Sequence, residues 1–98
     1  MAEVFRFPET PPPPPPKNEL RAVLFRVIGP RGLRFTCAAY DVETGLELRL
    51  FHGEDDIVRS QLFRGPMREV EAATMADQWR LALIQKGFTE IDSMETDS

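Results

Sequence analysis

The sequence predicts a small α+β fold: a four-stranded antiparallel β-meander followed by one C-terminal α-helix packed on one face, in the order β-β-β-β-α. Three observations carry this reading. Between residues 20 and 63, four runs with strand character are separated by short turn segments. Connections that short join antiparallel neighbours, because parallel pairs need a crossover of a dozen residues or more. From Gly65-Pro66 onward the apolar spacing changes from strand-like to helical. The flanks, proline-rich on one side and acidic on the other, are poor material for a core.

The elements follow in order. Residues 1–17 form an arm expected to be disordered, with "EVFRF" ahead of six consecutive prolines, Pro11–Pro16. As a polyproline II rod those six span about 19 Å, and they offer no N–H to a sheet interior. The domain proper covers residues 18–88. Its first run is Leu20–Ile28, closed by "GPRG", in which Pro30 fixes φ and Gly32 is free to take a positive one. Leu33–Tyr40 is the second run, "DVETG" the second reversal with Gly45 suited to a left-handed position, and Leu46–Phe51 the third run. The turn "HGEDD" leads to Ile57–Phe63, the fourth run, whose mixed pattern also admits a longer helical region. Pro66 suits a first helical turn. Ala72, Met75, Ala76, Trp79, Ala82 and Leu83 then fall on one arc of a helix over Met67–Lys86. Gly87 is placed to cap it in a left-handed conformation, with Phe88 folding back on Leu83. Residues 89–98 read as an acidic disordered tail.

Period-two alternation assigns the two sheet faces. Leu20, Ala22, Leu24, Ile28, Phe35, Cys37, Ala39, Leu46, Leu48, Leu50, Val58 and Leu62 are expected under the helix, with Cys37 a small core hydrophobe. The opposite set interleaves Arg21, Arg34, Arg49 and Arg59 with Phe25, Tyr40, Phe51 and Phe63. A solvated sheet face is normally mostly polar, so this face is the candidate binding surface. Val70, Ala73, Leu81 and Ile84 give the helix a second apolar strip, interrupted by Asp77.

Composition narrows the function classes. Residues 20–88 are near neutral, with ten Lys/Arg against nine Asp/Glu, and the acidity gathers in the tail. The single cysteine permits no intrachain disulfide, which points to a reducing, cytoplasmic compartment. No apolar run reaches the ~18 residues of a membrane span, and the N-terminus does not read as a signal peptide. Ten arginines against two lysines suggest a GC-rich, bacterial source. One histidine and one cysteine give no zinc spacing, and Glu54-Asp55-Asp56 lacks the alternating ligands of a calcium loop. "GPRG" is not a phosphate loop, and Ser60 has no base beside it. No catalytic residue, metal, cofactor or small-molecule substrate is expected.

What remains is a non-enzymatic protein-binding module, an adaptor or accessory subunit, that contacts another protein or a second copy. Its expected contacts are Phe25, Tyr40, Arg49, Phe51 and Phe63 on the sheet, with Phe5 and Phe7 on the arm. Aromatics and arginine with few lysines are what protein interfaces favour. Pro12, Pro15 and Lys17 also satisfy a Pro-x-x-Pro-x-Lys docking pattern, but any six-proline run followed by lysine would match it, and the favoured reading is a stiff spacer with a sticky tip. The alternative is a single-stranded nucleic-acid binder that stacks bases on the same face and meets phosphates with Arg21, Arg34, Arg49 and Arg59. In element order alone the fold resembles the Whirly and transcriptional-coactivator type of single-stranded-DNA-binding protein. That resemblance implies the second function, and no motif carries it.

Overall fold

The computed structural model describes residues 16–91. The expectations for Phe5, Phe7, the proline rod up to Pro15 and the tail from Asp92 onward lie outside these residues. Four long strands form the meander: β1 (Asn18–Ile28), β2 (Arg34–Val42), β3 (Gly45–His52) and β4 (Asp56–Phe63). Helix α1 (Arg68–Gln85) follows, and a two-residue strand, β5 (Thr89–Glu90), is the last element among the described residues. The sheet is antiparallel with order β4-β3-β2-β1-β5.

The expected four strands are therefore five. After the helix the chain returns to the far edge of the sheet, where Val27 pairs with Glu90 and Ile28 with Thr89. The Ile91 amide then donates to the Arg26 carbonyl at 2.8 Å. Two residues are too few to show a period, so the strand leaves no signature in the sequence.

The helix ends as its sequence suggests. Gly87 has φ 103°, the Phe88 amide reaches the Leu83 carbonyl at 3.1 Å and the Gly87 amide reaches that of Ile84 at 3.0 Å. This paired arrangement satisfies carbonyls that the helix leaves open. Phe88 then packs against the core, its ring edge-on to Phe35 at 5.3 Å. Gly29 lies so close to this ring that a Cβ there would collide with it. Gly45 is glycine for a similar reason, since a Cβ would strike the Phe63 carbonyl oxygen across the β3–β4 pair.

The core joins Phe25, Val27, Cys37, Ala39, Leu46, Leu48, Leu50 and Phe63 of the sheet to Ala72, Ala76 and Trp79 of the helix. The two alanines let the helix approach closely, and Trp79 fills the space beside them. Burying each large side chain contributes about 1.5–3 kcal/mol.

β2 and β3 present the faces their alternation predicts, but β1 and β4 do not. Arg21 and Leu24 are extra residues in β1 relative to β2, and Val58 is extra in β4 relative to β3. Each such bulge changes the side on which the following residues fall. The two bulges of β1 offset one another and turn only Ala22 and Val23. The register runs unbroken from the β1–β2 hairpin back to Phe25, so Phe25 and Val27 lie under the helix, paired with Cys37 and Phe35, while Leu24 is displaced to the flank and 38% exposed. In β4, Phe63 pairs with Leu46 in the core and Leu62 pairs with Glu47 on the other side. The expected core positions Leu20, Ile28 and Leu62 thus belong to the uncovered face.

Candidate binding surface on the uncovered sheet face

Cross-strand pairs share a face, so the uncovered surface can be read from the register. β1 supplies Leu20, Val23, Arg26 and Ile28, and β2 supplies Arg34, Thr36, Ala38 and Tyr40. β3 supplies Glu47, Arg49 and Phe51, opposite Leu62, Ser60 and Ile57 of β4. Leu20, Val23, Ile57 and Leu62 are exposed. They ring a centre built from Tyr40, Arg49 and Phe51.

That centre is organised. The Arg49 guanidinium stacks 4.1 Å from the centroid of the Tyr40 ring, and Tyr40 meets Phe51 edge-on at 6.2 Å. Arg49 donates to Glu47 Oε1 from Nε at 3.1 Å and from Nη2 at 2.8 Å, and Nη2 also reaches Asn18 Oδ1 at 2.9 Å. Its side chain is only 15% exposed. The guanidinium is thus held flat by an aromatic face and already carries a carboxylate. Such a group presents its planar surface and stem, and has little charge left for an incoming anion.

The expected contact residues divide. Tyr40, Arg49 and Phe51 come together on the open face, with Arg34 exposed at its end. Phe25 and Phe63 do not join them. They are 5% and 8% exposed in the core, Phe25 because the β1–β2 hairpin pairs Val27 with Phe35 and Phe63 because the Val58 bulge reverses β4. Arg21 sits on the helix side, bound to Asp41 at 3.0 Å and to Glu69 in the first turn of α1. Arg59 also turns to the helix side, 5.5 Å from the Trp79 ring centroid. The alternation reading places Val23 of this apolar rim on the open face but misses Leu20, Ile57 and Leu62, for which only the strand register gives the signal.

The remaining chemistry-bearing residues are dispersed. Burial pushes the Cys37 thiol up to about 12. His52 rests against Phe35, with Nδ1 4.0 Å from an Asp56 carboxylate oxygen. Among the described residues, no group of three or more His, Cys, Asp and Glu side chains is placed to hold a metal ion, and no helix is long and apolar enough to cross a membrane. No protein-family model matches the chain. No curated protein and no solved structure matches it.

Proposed function

We propose that this chain is a small protein-binding module, an adaptor or accessory subunit, whose contact surface is the uncovered face of the sheet. One observation supports the reading above the others: a sheet face with an apolar rim and an aromatic centre whose arginine is neutralised internally by Glu47. Burying Tyr40, Phe51, Leu62 and their neighbours against a partner rewards contact by removing apolar area from water, and Tyr and Arg are the residue types that anchor such contacts. The partner is another protein or a second copy of the chain.

Nucleic-acid binding is less well supported. Of the four arginines expected to meet phosphates, Arg21 and Arg59 lie on the helix side and Arg49 is bonded to Glu47. Of the four, Arg34 alone is exposed on the uncovered face without an acidic partner among the described residues. The solution mass of the full chain across a dilution series is the first test, beside Leu62→Asp and Tyr40→Glu. Concentration-dependent association lost in both variants supports self-contact through this face. If the chain is a monomer throughout, a photo-crosslinking residue at Leu62 applied in lysate identifies the contact. Nuclease-resistant protein adducts support the proposal. Adducts lost on nuclease treatment, with affinity falling steeply as salt rises, refute it.

A further inference from the structure

The opposite side of the sheet carries a cleft that the sequence does not announce. It opens beside the C-terminal half of α1 and has a volume of about 420 Å³, within the range of pockets that hold small molecules. Phe35, Leu50, Trp79 and Phe88 give it an aromatic and aliphatic lining, and among the described residues Arg59 and Lys86 are the charged groups that line it, with no carboxylate beside them. Neither cation forms an ion pair among the described residues, whereas Arg21, Arg49 and Arg80 each hold an acidic partner.

We propose that this cleft binds a small amphiphilic carboxylate, its apolar body against Phe35, Trp79 and Phe88 and its carboxylate against Arg59 and Lys86. The chemistry is complementary. An apolar body gains by leaving water, and two exposed cations without an acidic partner at the mouth of the cleft are complementary to one anionic head. A neutral ligand would leave both charges unanswered, and a cationic one would be repelled. The competing account is that the Arg59 and Lys86 stems merely cover Trp79 and its neighbours while their heads stay in water. In that case the cleft has no preference for an anion.

Trp79 is the only tryptophan in the chain, and it lies in the cleft, so its fluorescence reports occupancy directly. The test titrates the full chain with decanoate, decanamide and decylamine, each below its aggregation threshold. Saturable binding of decanoate, tighter than decanamide by about tenfold or more, with no response to decylamine, is the expected result. Arg59→Gln and Lys86→Gln should each weaken decanoate about tenfold and leave decanamide unchanged. Lys86 is exposed at the helix end, so its variant keeps the test valid if Arg59→Gln disturbs Trp79. Equal affinity for decanoate and decanamide, an unchanged decanoate affinity in Lys86→Gln, or the absence of saturable binding overturns the proposal.

Discussion

Replacing Phe25 and Leu24 in turn distinguishes the two ways of seating β1. Alternation from Leu20 puts Leu24 in the core and Phe25 outside, whereas the hairpin register, with Val27 opposite Phe35, does the reverse, at 38% and 5% exposure. For the 76 residues described here, typical stability is roughly 4–11 kcal/mol. A buried Phe→Ala change costs about 3–5 kcal/mol, enough to unfold a large fraction of such a domain, so Phe25→Leu is the measurable substitution. It retains most of the apolar volume and should cost about 1–2 kcal/mol. With a urea slope of about 1 kcal/mol per molar, the midpoint should fall by about 1–2 M. Leu24→Ala removes a larger share of its side chain but from the flank, and should cost at most about 1 kcal/mol. Urea unfolding followed by Trp79 emission reads both. A larger midpoint shift for Leu24→Ala than for Phe25→Leu would refute the hairpin register of β1 and β2, and the assignment of the open face with it.

Other consequences are equally direct. Gly29→Ala drives a methyl into the Phe88 ring and should cost about 1–3 kcal/mol, read as a lowered thermal midpoint. Gly87→Ala meets no neighbour but must hold φ near 103°, so it should cost about 1 kcal/mol, and circular dichroism should show the loss at the helix signal. Cys37 should resist thiol reagents at pH 8 until the chain unfolds. Its raised value, about 12, means the native thiol keeps its proton while the unfolded one loses it. Stability should therefore fall as pH rises from about 8.5 toward that value, with the slope reduced in Cys37→Ala.

The sequence reveals those parts of the fold in which one local rule operates without interruption. Leu46, Leu48 and Leu50 alternate on an unbulged strand, and their burial follows directly. The end of α1 is legible because Gly87-Phe88 has a specific geometric use. Arg21, Leu24 and Val58 look like ordinary strand residues, and nothing in their types marks them as extra in the ladder. Missing Val58 exchanges Phe63 for Leu62, and seating β1 by its even-numbered apolar residues rather than by the hairpin pair Val27–Phe35 exchanges Phe25 for its neighbours, which together remove two aromatics from the expected contact surface. Missing Val58 also hides the cleft, since Arg59 is assigned to the wrong side of the sheet and away from Trp79.

β5 gives the fold a late step in time. The three hairpins of the meander close over short stretches of chain, but Val27 waits for Glu90, a partner 63 positions further on. Closing so distant a pair carries a larger entropic cost and belongs to the slow part of assembly. During synthesis the outer edge of β1 therefore stays unlatched until the last residues of the domain have emerged. A chain cut short after α1 would keep its helix and its meander but leave the Val27–Ile28 edge open, a template for whatever strand reaches it first.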